Sequence, residues 1–246
     1  MLYLSDMGVI VPAILPTSRE DLEGKLALLN GIVDSVQIDV VDGTFASPPT
    51  WPYVNRSGEF AQRLEDGDAL PYLGSMHYEI DLMVQDVEEV IGLWIAAGAQ
   101  RLVVHAESTE HLSGIIRELE VKYGHSKDFA PGLLSLGLAI GNDSDLSLIE
   151  PYTDRIDYVQ FMGIASIGKQ GQPFDARVLE KIAAFRQKHP DMSIQVDGAV
   201  SLETAPQLLI AGVDRLVIGS GLWKSHDLKE EIERFKNLVH EHGLYS

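Results

Sequence analysis

Short apolar runs alternate along the chain with longer amphipathic patterns, and this alternation constrains the fold more than any other feature. Eight of the runs predict β-strands, at residues 9–14, 35–41, 75–82, 101–105, 133–140, 155–162, 193–196 and 215–218. Most are almost continuously apolar, which is typical of a parallel sheet covered on both faces. Helical patterns lie between them, at residues 17–30, 85–97, 109–122, 143–152, 175–188, 202–211 and 226–240, with a short one at 59–64.

Eight strands that alternate with about eight helices in 246 residues predict a single domain, a (β/α)8 TIM barrel spanning residues 1–246. A doubly wound open sheet is the alternative. Such a sheet usually carries a glycine fingerprint after its first strand, whereas the turn here reads Leu15-Pro16-Thr17. The longest connection, residues 42–74, is rich in proline and predicts a lid or a subunit contact. Trp51 lies in this segment, and the pattern does not separate the two roles for it.

The charge balance restricts the partners of the chain. It has 37 acidic and 19 basic residues, a formal net charge of −18, and no cysteine. Nucleic acids and anionic membranes are bound through clustered Lys and Arg, so we expect neither partner. The sequence has no run of about 18 apolar residues and no basic, apolar leader, so we expect a cytoplasmic protein that does not enter a membrane. Disulfides and thiolate metal sites are excluded.

Acidic residues follow several of the predicted strands. Asp39, Asp81 and Asp197 lie at the ends of the second, third and seventh strands, and His105 ends the fourth. In a barrel these ends meet at one mouth. Three carboxylates there would repel each other at a cost of several kcal/mol unless protons or a cation offset the charge. Asp42 precedes a glycine and is expected mainly as a turn residue, and His105 is expected to bond to a neighbouring carboxylate.

Several motifs, in order along most of the chain, together resemble those of ribulose-phosphate 3-epimerases, which are phosphate-binding TIM barrels. They are Pro12-Ala13-Ile14-Leu15, Gln37-Ile38-Asp39-Val40-Val41-Asp42-Gly43-Thr44-Phe45, Asp81-Leu82-Met83-Val84, His105-Ala106-Glu107, the 168–174 loop after Met162, Val196-Asp197-Gly198-Ala199-Val200 and Gly219-Ser220. The resemblance implies an isomerase that epimerises C3 of a sugar phosphate, of the ribulose/xylulose 5-phosphate or allulose 6-phosphate type, through an enediolate. It also implies a homo-oligomer.

The resemblance assigns roles to individual residues. Asp39 and Asp197 match the two catalytic aspartates, one for each face of the reacting carbon. Met83 and Met162 match apolar residues beneath the substrate, while the sequence pattern alone predicts core packing equally well. Backbone N–H groups would bind the phosphate at Gly171, Gly198, Gly219 and Ser220, a neutral cradle that suits an acidic chain. Lys169 is expected as an additional anion partner.

Two departures from the family pattern concern the metal. Gln37 and Asp81 stand where the family has its two histidine ligands. An all-oxygen set would favour a hard cation, Mg²⁺ or Mn²⁺, over Zn²⁺; its members are Gln37, Asp39, Asp81 and Asp197. Alternatively, the metal is lost and Gln37 and Asp81 are polar neighbours of the reacting groups. Both interpretations stay open at this stage.

Two other functions compete with the epimerase. One is a lyase or aldolase acting on a phosphorylated sugar, since the same barrel hosts such chemistry, commonly with an Asp–Lys pair. No lysine lies at a predicted strand end, which counts against it. The other is a catalytically inactive protein that binds a phosphorylated ligand, suggested by the two missing histidines.

Overall fold

The computed structural model describes residues 9–54, 58–127, 134–168 and 171–242. Eight strands form a closed barrel in chain order, and all neighbours are parallel, including β1 with β8. The strands are β1 (Val9–Ile14), β2 (Ser35–Val41), β3 (His77–Met83), β4 (Ala99–His105), β5 (Ser135–Ile140), β6 (Tyr158–Met162), β7 (Ser193–Asp197) and β8 (Arg215–Ile218). The predicted TIM barrel is confirmed.

Helices surround the barrel, as in a (β/α)8 fold. They are α1 (Arg19–Leu29), α2 (Glu59–Glu65), α3 (Val87–Ala97), α4 (Leu112–Tyr123), α5 (Arg177–Lys188), α6 (Ala205–Ile210), α7 (Ser220–Trp223) and α8 (Leu228–His242). The longer ones bury an apolar stripe against the outer face of the strands; α1, for example, buries Leu22, Leu26 and Leu29. Its first turn is capped by Ser18, whose side chain accepts a hydrogen bond from the Asp21 N–H. None of the helices among the described residues is both long and apolar enough to cross a membrane.

The helix predicted over residues 143–152 is wrong. Two single-turn 3₁₀ helices, Leu146–Leu148 and Glu150–Tyr152, occupy this connection. Asp145 caps the first by accepting from the Ser147 N–H, and Pro151 falls in the first turn of the second. The Asp145 cap delays the first helical turn to Leu146, and Pro151, next to the end of the predicted span, lacks the N–H that would continue an α-helix and clashes with the preceding turn. Too few residues lie between these two points for a regular helix of the predicted length.

The described parts of the 42–74 connection, residues 42–54 and 58–74, pack against the outside of the barrel. The Trp51 ring is 7% exposed, with Phe60 of α2 and Trp94 of α3 at centroid distances of 5.0 and 6.0 Å. Trp51 is therefore a core residue that fixes this segment to α3, instead of the lid or subunit contact expected for it. Thr50 holds the end of β2: its hydroxyl donates to the Asp39 carbonyl at 2.8 Å and accepts from the Val41 N–H at 2.9 Å.

A polar layer crosses the inside of the barrel below its carboxyl-terminal end. Gln195 on β7 is aligned with Gln160 on β6 and with Arg215 on β8. On the other side of the barrel, Glu79 on β3 is aligned with Gln37 on β2. All five side chains are buried. This layer forms the floor on which the acidic residues of the mouth lie.

Candidate active site at the carboxyl ends of the strands

Three aspartates converge at the top of the barrel interior. Asp39 and Asp81 are register partners on β2 and β3, and Asp197 ends β7 beside Met162 of β6. One carboxylate oxygen from each aspartate lies within 4.8 Å of the other two. Parallel strands and their shared register thus bring together residues 158 positions apart in the sequence, as predicted from the strand ends.

Gln37 bridges the two candidate acid–base residues. Its Nε2 donates to Asp39 Oδ1 at 2.8 Å and to Asp197 Oδ2 at 3.4 Å. Its Oε1 accepts from Gln195 Nε2 at 3.2 Å, so the amide oxygen faces the floor of the site. In this orientation Gln37 is a hydrogen-bond donor to the carboxylates, and its oxygen would reach a cation only after the amide rotates. Gln37 as a metal ligand stays a prediction.

A second glutamine supports Asp81 from below. Gln160 Nε2 donates to Asp81 Oδ2 at 2.9 Å, and Gln195 Nε2 donates to Gln160 Oε1 at 2.7 Å and to Glu79. Sequence reasoning missed Gln160 and Glu79. Each is a polar residue with apolar neighbours on both sides in its strand, and this signal could have identified both, since a buried polar side chain must find partners within the protein.

His105 provides the other contact to Asp81. Its Nε2 lies 3.0 Å from Asp81 Oδ1, and both side chains are fully buried. The predicted bond between this histidine and a neighbouring carboxylate is confirmed. Burial, the largest single influence, disfavours the charged ring, but Asp81 and the more distant acids outweigh it and raise the pKa of His105. The Nδ1 atom is buried and has no hydrogen-bond partner among the described residues.

The electrostatics of the site favour protonated aspartates. Burial and the neighbouring charges of Asp197 and Asp81 raise the pKa of Asp39 well above its ordinary value. Burial and the charge of Asp81 raise the pKa of Asp197 to about 7, although the Gly198 N–H, His105 and Gln37 oppose the shift. The two carboxyl groups therefore take up a proton at a higher pH than an isolated aspartate does.

The residues expected around the substrate share one cavity with the two aspartates. This cavity is lined by Met83, Met162, Gly171, Gly198, Gly219 and Ser220 together with Asp39 and Asp197. Asp42 lies outside it and bonds to the backbone N–H groups of Thr44 and Phe45, which is the turn role expected for it. Lys169 lies outside the described residues.

The cavity has a volume of about 30 Å³, which suits water and is too small for a phosphorylated sugar. The loops after β2 and β6 lie close to each other beside it. Phe45 of the first loop and Ile167 of the second both pack against one apolar cluster, formed by Val41, Ala46 and Met83. A Cβ on Gly168 would lie 2.8 Å from the Ala46 Cβ, so the loops meet closely. Gly168 itself lines the cavity, so this contact lies at its edge.

The three aspartates fit a divalent cation chemically. They are crowded and buried, and the hydrogen bonds from Gln37, Gln160 and His105 compensate only part of their charge, as the raised pKa values of Asp39 and Asp197 show. An all-oxygen donor set suits a hard cation such as Mg²⁺ or Mn²⁺. Asp39, Asp81 and Asp197 could hold such an ion.

Comparison with solved structures supports the fold. The 3-hexulose-6-phosphate synthase from Salmonella typhimurium has a TM-score of 0.64 and 13% sequence identity, over 95% of this chain and 99% of that one. KGPDC from Streptococcus mutans has a TM-score of 0.63 and 14% identity, over 96% of this chain and 99% of that one. At these identities the similarity shows a common barrel and nothing further about chemistry.

Comparison of sequences is more specific. Ribulose-phosphate 3-epimerases from Bacillus subtilis and Schizosaccharomyces pombe are each 28% identical to this chain, over 92% and 94% of its length and 97% and 93% of theirs. The enzyme of the same name from Eremothecium gossypii is 25% identical over 95% of this chain and 93% of that protein. The sequence model of the ribulose-phosphate 3-epimerase family matches residues 9–223. The chain therefore belongs to the ribulose-phosphate 3-epimerase family, whose members are isomerases acting on carbohydrate phosphates.

Proposed function

We propose that this protein epimerises C3 of a ketose phosphate, with Asp39 and Asp197 as the acid–base pair. The observation that carries the proposal is the pairing itself. Two aspartates from separate strands line one cavity, a single Gln37 amide bonds to both, and both have raised pKa values. Proton transfer at carbon is most effective when the pKa of the catalytic group lies near the working pH.

Inversion at C3 needs one group to remove the proton and another to return one on the opposite face. The carboxylate form of one aspartate takes the C3 proton, the C–H electron pair forms the C2–C3 double bond, and the carbonyl pair moves to O2. The carboxylic acid form of the other aspartate then protonates C3 from the other side. Reversal exchanges the two roles, so the pair must hold one proton at the start in either direction. The shifted pKa of Asp197, about 7, supports this state near neutral pH.

The surrounding side chains would keep the three carboxyl groups of the site in position. Gln37 holds both, Gln160 and His105 hold Asp81, and Thr50 fixes the backbone at Asp39. A divalent cation held by Asp39, Asp81 and Asp197 would stabilise the negative charge of the enediolate oxygens. The phosphate would bind at the backbone of Gly171, Gly198, Gly219 and Ser220, which line the same cavity.

The test is exchange of the C3 proton with solvent. We expect ribulose 5-phosphate or allulose 6-phosphate, incubated in deuterated water with Mg²⁺, Mn²⁺ or Zn²⁺, to gain deuterium at C3 and to yield its epimer by ¹H NMR. Asp39→Asn and Asp197→Asn should each lower the epimerisation rate by about 10²–10⁴-fold. Each variant should still exchange the proton of one epimer, the one whose C3–H faces the remaining aspartate.

Asp42→Asn is the matched control, because it makes the same change three residues from Asp39 in a side chain that bonds to loop backbone. It should keep activity of the wild-type order. Absence of deuterium at C3 with both substrates and every metal would reject the epimerase. Equal loss of exchange from both epimers in one variant would reject the two-aspartate mechanism and leave a single base.

The choice of metal needs its own measurement. We expect the electron paramagnetic resonance signal of free Mn²⁺ to weaken as the protein is added, because the ion binds. Mg²⁺ should compete for the same site, and Asp81→Asn should bind Mn²⁺ less tightly. Activity that survives EDTA, in a protein that binds no Mn²⁺, would instead support the interpretation in which the metal has been lost.

Neither alternative function gains support from the structure. A lyase or aldolase of the Asp–Lys type would need a lysine at the mouth, and none of the eight strands contains one. An inactive phosphate binder would not require two adjacent carboxyl groups with raised pKa values. The substrate, the homo-oligomer and the cytoplasmic location stay predictions.

A further inference from the structure

The cradle expected to bind phosphate opens on its outer side into a second, larger groove. This groove, of about 720 Å³, shares four lining residues with the cavity of the site, namely Gly171, Ala199, Val200 and Ser220. Its far wall comes from the start of α8. A phosphate on the cradle would therefore turn some of its oxygens toward the groove.

Lys224 lies at the junction of the cradle and the groove. Its Nζ is 3.3 Å from the position that a Cβ of Gly171 would occupy, so the ammonium group lies directly against the cradle. The residue is held there from its backbone: the Lys224 N–H donates to the Ser220 carbonyl at 3.3 Å, Leu222 is fully buried, and the Trp223 indole donates to the Ala13 carbonyl of β1 at 2.6 Å.

The charge of Lys224 is available to a ligand. The other strong cation of the groove, Arg234, pairs with Glu231 at 2.8 Å, whereas Lys224 pairs with no carboxylate of the described residues. The nearby site carries three aspartates, and the chain has a net charge of −18. A phosphate monoester carries about −1.5 to −2 charges at pH 7. Such a ligand approaching this site meets repulsion that a neutral cradle does not offset.

We propose that Lys224 binds the outward-facing oxygens of the substrate phosphate and makes the site selective for a phosphate monoester dianion. This inference rests on the proposed function, because it takes the phosphate of that substrate as its ligand. The lysine supplies the positive charge, the cradle supplies directed N–H donors, and the two act on different oxygens of the same group.

The test compares Lys224→Gln with Lys229→Gln in the full-length protein. Lys229 is an exposed lysine of α8 that does not line the groove, so the two variants lose the same charge. We measure KM and kcat for ribulose 5-phosphate or allulose 6-phosphate, whichever the wild type converts, and the inhibition constant of inorganic phosphate. Lys224→Gln should raise both KM and this inhibition constant about tenfold, equivalent to about 1.4 kcal/mol, with kcat unchanged.

Two further measurements bear on the proposal. Lys224→Arg should keep phosphate binding near the wild-type value, and the salt dependence of KM should be weaker in Lys224→Gln than in wild type. An unchanged inhibition constant in Lys224→Gln would overturn the inference, as would an equal rise in Lys229→Gln. If the wild type is inactive and binds no phosphate, the proposed function fails as well. If it is active and Lys224→Gln behaves like it, only this inference fails.

Discussion

Glu79 offers a sharp test of how the charged floor of the barrel is stabilised. Its Oε2 accepts from Arg101 Nε at 2.7 Å and lies 3.4 Å from Arg215 Nη2. Burial favours the protonated acid, but the two guanidinium groups outweigh it and hold the pKa of Glu79 below its ordinary value. We predict that Glu79→Gln, which keeps the shape of the side chain and removes its charge, destabilises the protein.

The magnitude follows from the burial of the partners. Removing one member of a buried ion pair leaves an uncompensated charge and costs about 3–5 kcal/mol. The Arg101 side chain is 14% exposed and Arg215 is 3% exposed, so water relieves the first more than the second. We expect about 3 kcal/mol, the lower end of that range. Each kcal/mol shifts the melting temperature of a protein of this size by roughly 2–4 °C, so the expected loss is roughly 6–12 °C.

Thermal unfolding followed by circular dichroism measures this loss. Glu65→Gln, the same change at an exposed position of α2, should leave the melting temperature unchanged. Because the folded-state pKa of Glu79 is lowered, its contribution is present above the unfolded pKa of about 4.3 and disappears as the pH falls through the folded value. The gap between wild type and Glu79→Gln should thus be constant from about pH 5 to 8. A loss below about 1 kcal/mol would refute the assignment of a buried, charge-paired Glu79.

Three other predictions concern the site and its surroundings. Burial and the charge of Asp81 raise the pKa of Asp197 to about 7, so Asp197→Asn should raise the melting temperature at pH 8 in EDTA. The gain should vanish near pH 4, where this carboxyl group is protonated in the folded state and about half protonated in the unfolded state. An unchanged melting temperature at pH 8 would contradict the repulsion between the carboxylates. The side-chain hydrogen bond from Arg177 lowers the pKa of Asp175 to about 2, so Arg177→Ala should return it toward its ordinary value in an NMR titration of the carboxyl carbon, and a value still near 2 would assign the shift elsewhere. Gly198 has φ +101°, and a Cβ there would lie 2.8 Å from Ile164. Gly198→Ala should therefore lower the free energy of unfolding by about 1 kcal/mol or more and weaken inhibition by inorganic phosphate. Wild-type values of both quantities would show that the loop accepts a side chain.

The sequence predicts the barrel well because its strands are buried on both faces. Three strands, β1, β2 and β8, have the bounds predicted for them, since each is flanked by a polar or glycine residue on at least one side. The predicted helix at 143–152 fails because the Asp145 cap and Pro151 leave room only for two short helical turns between them. Trp51 shows another limit: an aromatic residue in a long connection could cover the mouth or fill the core, and only its contacts with Phe60 and Trp94 decide.

In the candidate site, too, some features could be predicted from the sequence and others could not. The positions of Asp39, Asp81 and Asp197 could be predicted, because side-chain alternation and the shared direction of parallel strands bring strand-end residues to one mouth. The direction in which the Gln37 amide points could not, because it depends on Gln195, a residue 158 positions away. Lys224 gave no signal in the sequence; its position depends on how the turn after β8 packs on β1.

The pairing of Thr50 with β2 determines which parts of the connection after that strand can move. The Thr50 N–H donates to the Val41 carbonyl in addition to the hydroxyl contacts, and the Trp51 N–H donates to the Pro16 carbonyl at 2.8 Å. The connection is thus pinned nine residues past the end of β2. The part before this point includes residues 43–47, and it meets the loop after β6, residues 163–168, where Ala46 lies against Gly168. Exchange of substrate preference between relatives should accordingly require grafting these two short stretches and not the whole proline-rich connection.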